Sequence, residues 1–308
     1  MKVYTNAKDY DRKPSVVTIG TFDGVHIGHK AILKRLINSA ESNNLESVLL
    51  TFFPHPRQVV QSATDLRLIN TIDEKKKLLE KEGLGSLVIQ PFTKEFSRLT
   101  AEEYVRNILV NQLNAKKIII GYDHRFGRNR TANIDDLKSF GELYGFEVEE
   151  ISAQELDKVA VSSTKVRHAL TNGDIKTAND YLGYAYFITG TIEKGKKIGR
   201  TINFPTANIH VDETYKLIPQ NGVYVVQTEI DGKNYYGITS IGTNPTVGGE
   251  KKTVETHVLD FKGDLYGKTL EIAFLTYIRD EEKFESVEEL QQAITNDEAF
   301  ARNYLSKT

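Results

Sequence analysis

The sequence predicts two domains of different class: an α/β domain built on a mostly parallel sheet, then a small antiparallel β domain closed by a helix. Three observations carry this. The first half alternates short apolar runs with longer stretches of helical periodicity, the pattern of βαβ units. Beyond Tyr181 to Ala185, short β-rich segments follow one another with few helices between them. A length of 308 residues, at roughly 150 per domain, accommodates two separate cores.

Taken in order, Val16-Val17-Thr18-Ile19 is a buried strand, followed by a glycine-punctuated turn. Ala31-Ile32-Leu33 with Leu36-Ile37 has helical spacing. Ser47 to Phe52, Leu87 to Ile89 and Lys117 to Ile120 read as further buried strands, and Phe146 to Val148 as a fifth. Thr100-Ala101-Glu102-Glu103 is a capping box opening a helix to about Asn111, and Ile134 to Tyr144 is also helical. Asn172-Gly173 ends a short helix before the junction. In the second half, Val223 to Ile230 and Lys233 to Ile238 flank Asp231-Gly232, a hairpin signal. Thr253 to Leu259 and Leu270 to Leu275 read as strands, and Ser286-Val287-Glu288-Glu289 caps a last helix through Leu290 and Ile294. This half is a small barrel or sandwich. The domains are expected at 1–182 and 183–308.

The composition, 39% hydrophobic and 27% charged with 7 Pro and 22 Gly, excludes collagen-like and largely disordered chains. Forty Lys+Arg against 42 Asp+Glu leave a formal charge of −2, so no global field announces a nucleic-acid or membrane partner. With 0 Cys there is no disulfide, thiolate metal site or cysteine nucleophile. Met1 to Pro14 lacks the apolar run of a signal peptide, and no apolar stretch approaches the ~20 residues of a membrane helix. A soluble cytoplasmic protein is the default expectation, with weak or transient homo-oligomerisation left open.

The most informative stretch is Gly20-Thr21-Phe22-Asp23-Gly24-Val25-His26-Ile27-Gly28-His29. It joins a strand to a helix, where backbone N–H groups and the helix dipole favour an anion. Gly20, Gly24 and Gly28 permit close approach to a phosphate. His26 and His29 stand three apart, so both rings can face one point and donate to phosphate oxygens as charge builds. Taken alone, two such histidines would be metal ligands or mere surface about half the time. The full ten-residue string is more specific, and it is not the dinucleotide Gly-x-Gly-x-x-Gly fingerprint.

Three later stretches extend the pattern. Thr51-Phe52-Phe53-Pro54-His55-Pro56 ends the second strand, where ligands gather in open α/β sheets. Gly121-Tyr122-Asp123-His124-Arg125-Phe126-Gly127 ends the fourth, and Val161-Ser162-Ser163-Thr164-Lys165-Val166-Arg167 opens the helix before the junction. Singly, these read as a rigid loop, solvated arginines and a helix cap. In the second domain, Gly195-Lys196-Lys197-Ile198-Gly199-Arg200 leads to Phe204-Pro205-Thr206-Ala207-Asn208. Thr206 and Asn208 share one face of an extended segment and offer the hard oxygen donors that suit Mg²⁺. Thr253-Val254-Glu255-Thr256-His257 places Glu255 and His257 on one strand face, with His257 read as structural.

At these residues the sequence resembles the nucleotidyltransferases with a His-x-Gly-His signature, and specifically the bacterial bifunctional riboflavin kinase/FAD synthetases. The likeness covers essentially the whole chain. It implies a Rossmann-like nucleotidyltransferase domain with a parallel sheet, then an antiparallel β-barrel riboflavin kinase domain with a terminal helix. It implies ATP and Mg²⁺ as partners, with riboflavin, FMN and FAD as substrates or products. It assigns Gly20, Phe22, Asp23, Gly24, His26, Gly28, His29, His55, Asp123, Arg125, Ser163, Thr164 and Arg167 to ATP and its phosphates in adenylylation. In the kinase it assigns Gly195, Gly199 and Arg200 to phosphates, Thr206 and Asn208 to Mg²⁺, Glu255 to the base and Arg279 to the flavin. Three positions depart from the family pattern: His124 for an aromatic, Ala132 for a glycine and Asn203 for a glycine. A transferase of other specificity would share the first turn but not Pro-Thr-Ala-Asn with Glu255. A flavin-binding regulator would lose the phosphate and base residues.

Overall fold

The computed structural model describes residues 1–61, 65–122, 124–152, 161–193, 204–246 and 249–307. The chain divides into two compact units, Met1–Ser163 and Thr164–Thr308.

The first unit is a six-stranded sheet of β1 (Lys2–Tyr4), β2 (Ser15–Ile19), β3 (Glu46–Phe53), β4 (Ser86–Pro91), β5 (Ala115–Gly121) and β6 (Glu147–Ile151). The order is β1-β4-β3-β2-β5-β6 with every pair parallel. All five residues of β2 are buried, as both faces of a parallel sheet are covered. On one face Val17, Ile19, Val48, Leu50, Val88, Ile118 and Ile120 form a core with Val105 and Leu109. Those last two lie on a helix that starts as α4 (Ala101–Tyr104) and continues over Val105–Gln112 with the wider i→i+5 turn. Helix α1 (Ile27–Ser42) packs on β2 and β3. The chain adds β3 and β4 to one side of β2 and β5 and β6 to the other, so order reverses at the carboxyl end of β2. That is where ligands bind in open α/β sheets. Among the described residues this unit also has the α-helices α2 (Pro56–Val60), α3 (Ile72–Lys81) and α5 (Ile134–Tyr144). Strand β1 is absent from the sequence expectation because three residues, Lys2, Val3 and Tyr4, largely exposed at the sheet edge, are too few to show a periodicity.

The second unit opens with α6 (Ser163–Thr171), begun at the last residue of the first unit, and α7 (Ile175–Leu182). Gly173 ends α6 at φ +72°, as Asn172-Gly173 predicted. These helices belong with the barrel by their bonds: Gln220 N donates to Leu170 O at 3.0 Å and Asn179 Nδ2 to Phe274 O at 2.9 Å. The sheet strands are β7 (Phe187–Glu193), β8 (Ala207–His210), β9 (Gly222–Ile230), β10 (Lys233–Thr246), β11 (Gly249–Val258) and β12 (Thr269–Arg279). They close as a barrel in the order β10-β11-β8-β7-β12-β9, every pair antiparallel. Of the two architectures the sequence left open, it is the barrel. Asp231 (φ +50°) and Gly232 (φ +79°) make the β9–β10 turn, matching the hairpin signal. Helix α8 (Val287–Leu305) sets Ala301 against Val223, Val225, Ile238 and Leu259.

Candidate functional sites

In the first unit, residues 20–29 leave β2 and enter α1. His26 is the N-cap of α1: its Nδ1 accepts the His29 N–H at 3.3 Å, so the neutral ring carries its proton on Nε2. The two imidazoles stack at 3.6 Å, and Phe22 stacks on His29 at 4.6 Å. The stack sets the two rings side by side at the start of α1. His29 keeps some ring surface at solvent, while its Nδ1 is buried with no hydrogen-bond partner among the described residues. Burial first, then the nearby His26 and Lys75, push the His29 pKa well below the ordinary histidine value. His29 is therefore a neutral donor or acceptor near neutrality.

The turn is strained and tied down. Phe22 and Val25 adopt φ of +46° and +38°, and Gly24, at φ +91°, is the one residue of the three suited to it. A Cβ on Gly28 would stand 3.2 Å from the His26 ring. Asp23 is 1% exposed, and its carboxylate accepts the N–H groups of Ile69 and Asn70. It thus holds the turn to the 65–70 loop. Ser163 Oγ donates to Asp23 O at 2.8 Å, bringing a residue 140 positions away onto the turn. Thr164 is exposed and Arg167 half-buried on α6, and Arg167 stands four after Ser163, on the same helix face. His55 caps α2 at the end of β3, its Nδ1 accepting Arg57 N at 3.2 Å. Gly20 ends β2 with its N–H on Leu50 O, and Arg125 is exposed beyond β5. Asp123 lies outside the described residues.

Sequence reasoning missed Lys75, and placed Thr51 in a motif without giving it a role. Lys75, 3% exposed, donates to Thr21 O at 2.7 Å, and the Thr51 hydroxyl reaches the same carbonyl at 3.2 Å. One signal was available: Lys75 stands three and four residues before the buried Leu78 and Leu79, on the apolar face of α3.

In the second unit, β8 lies between β7 and β11 and sets Asn208 opposite both Glu193 and Glu255. Ala207 and Ile209 are buried, while Thr206 and Asn208 share the opposite, partly open face. Thr206 Oγ1 donates to Glu255 Oε2 at 3.2 Å. On β11 Val254, Thr256 and Val258 are buried, and Glu255 and His257 face the other way, as the alternation predicted. His257 Nδ1 meets Pro205 O at 2.8 Å and its ring stands edge-on to Phe204 at 5.4 Å, fixing the segment that carries Thr206. The Thr206 hydroxyl, Asn208 amide oxygen and adjoining carboxylate form a hard oxygen set that fits Mg²⁺. No group of three or more His, Cys, Asp or Glu among the described residues is arranged to hold a metal ion. The Arg279 guanidinium is engaged by Asp297 of α8 at 2.9 and 2.8 Å. Gly195, Gly199 and Arg200, with Asn203, lie outside the described residues.

Comparison with known proteins follows the same division. A family model described as FAD synthetase matches residues 8–165, and one described as riboflavin kinase matches residues 182–305. The chain belongs to the bifunctional riboflavin kinase/FMN adenylyltransferase family. A relative of that description from Listeria monocytogenes is 36% identical over 95% of this chain and 93% of its own length. One from Escherichia coli K12 is 34% identical over 98% of this chain and 96% of its own length. A solved structure described as a macrolide-efflux protein from Streptococcus pneumoniae shares the fold across 98% of both chains, with TM-score 0.88 and 32% identity. Among the described residues no helix is long and apolar enough to cross a membrane.

Proposed function

We propose that the two activities of the family occupy the two clusters: phosphorylation of riboflavin at Glu255, Thr206 and Asn208, and adenylylation of the resulting FMN at the turn ending in His26 and His29. One observation carries this assignment. Each family match falls on its own fold, and each fold holds its own polar cluster at a place suited to phosphates. We place the functional boundary at 182/183, which the start of the kinase match at 182 supports.

At the barrel, Glu255 takes the proton of the riboflavin 5′-hydroxyl as that oxygen attacks the γ-phosphorus of ATP, and ADP leaves. Thr206 and Asn208 would hold Mg²⁺, with Gly195, Gly199 and Arg200 on the phosphates. Bound there, the ion neutralises phosphate charge. Arg279, its guanidinium held by Asp297, contacts the flavin.

At the turn, an FMN phosphate oxygen attacks the α-phosphorus of ATP and pyrophosphate leaves, with no covalent enzyme intermediate. His26 and His29 donate to the triphosphate as charge shifts to the leaving group. The amide-rich start of α1, the glycines, Ser163, Thr164 and Arg167 bind and orient it, and His55, Asp123 and Arg125 complete the nucleotide side. Because both reactions draw on ATP, we assign the chain to the cytoplasm.

The test is direct. Protein incubated with riboflavin, ATP and Mg²⁺ should yield FMN and then FAD, resolved by chromatography. Absence of both products from folded protein would refute the assignment.

A further inference from the structure

Helix α3 breaks two local rules at Lys75. A cation in the first turn faces the positive end of the helix dipole, and this one is carried into the interior at 3% exposure. Burial pushes its pKa down, against the opposing pull of the Asp23 carboxylate. What the ammonium finds inside is the Thr21 carbonyl at 2.7 Å, which the Thr51 hydroxyl also reaches. Thr21 opens the strained turn in which Phe22, Gly24 and Val25 all have positive φ. A strained turn persists only where its surroundings over-determine it. Here the ties are Thr21 O to Lys75 and Thr51, the Asp23 carboxylate to Ile69 and Asn70, and Asp23 O to Ser163.

We propose that Lys75 is a positioning residue for adenylyl transfer: it clamps Thr21 so that the turn keeps the shape that receives the triphosphate, and it sets a fixed positive charge on the interior side of that turn. The inference rests on reading the turn as the triphosphate site. Thr51 shares the clamp without the charge, so the two contributions are separable.

The experiment compares full-length wild type, Lys75→Met, Lys75→Arg and Thr51→Val. Readouts are KM for ATP and kcat in FMN-to-FAD conversion, and binding of inorganic pyrophosphate by calorimetry. Lys75→Met should raise KM for ATP and weaken pyrophosphate about tenfold or more, with a smaller change in kcat. Thr51→Val and Lys75→Arg should stay within about threefold. Equal effects of Lys75→Met and Thr51→Val, or an unchanged KM in Lys75→Met, would overturn the proposal. If Lys75→Met is insoluble, the wild-type Lys75 ammonium resonance decides: a shift on adding pyrophosphate supports the role and its absence overturns it. Wild type that makes no FAD would instead sink the reading of the turn itself.

Discussion

Thr206 donates its hydroxyl hydrogen to the Glu255 carboxylate at 3.2 Å, joining residues 49 positions apart on the open face of the barrel. The bond leaves Glu255 its second oxygen and sets it opposite Asn208. Replacing Glu255 by Ala should cut FMN formation from riboflavin by roughly 10²–10⁴-fold, the usual weight of a general base. Conversion of FMN to FAD by the same protein should stay within about twofold, since the turn lies in the other unit. Parallel loss of both steps in a folded variant would refute the two-site assignment.

Ser163 ties the first turn through Asp23 O at 2.8 Å. Ser163→Ala removes one hydrogen bond, worth about 0.5–1.5 kcal/mol, and should slow FMN adenylylation by roughly three- to tenfold. Riboflavin phosphorylation should be unaffected. Steady-state rates of the two half-reactions check this.

Half-buried His29, with its Nδ1 out of water, gives the first unit a pH dependence. Its folded pKa lies well below the value of ~6.5 that it has when unfolded, so below that pH the unfolded chain binds the extra proton. Its contribution is full above about 6.5 and is lost as pH falls. Protection of β2 and α1 amides, taken relative to their intrinsic exchange rates, should fall as pH drops from about 7 to 5, and His29→Gln should flatten that trend. Protection independent of pH in wild type would contradict it.

Arg279 and Asp297 form a two-point pair at 2.9 and 2.8 Å, with Asp297 only 4% exposed. Hydrogen bonding to Asp297 raises the Arg279 pKa against the effect of burial. Asp297→Ala removes this two-point pair and leaves Arg279 with the Asp280 carbonyl at 3.1 Å and Glu282 at 3.7 Å, so it should destabilise the barrel unit by about 1–3 kcal/mol, with Asp297→Asn milder. Urea unfolding measures the loss, and exchange along α8 should rise first.

The alternation of β2, β3, β4 and β5 with helices was legible because buried parallel strands are continuous apolar runs, and the Asp231-Gly232 hairpin because that turn demands positive φ. The site histidines and the Thr206, Asn208 and Glu255 set stood out as motifs with local spacing. What the sequence alone determined, then, was the fold class, the two-part organisation and the chemistry-bearing residue types. Only the tertiary structure decided the strand order of the barrel, that Thr206 meets Glu255, that Asp23 turns inward to Ile69, and that Lys75 supports Thr21. Each of these joins residues far apart in the chain, so sheet order and burial set them, and no local periodicity records either.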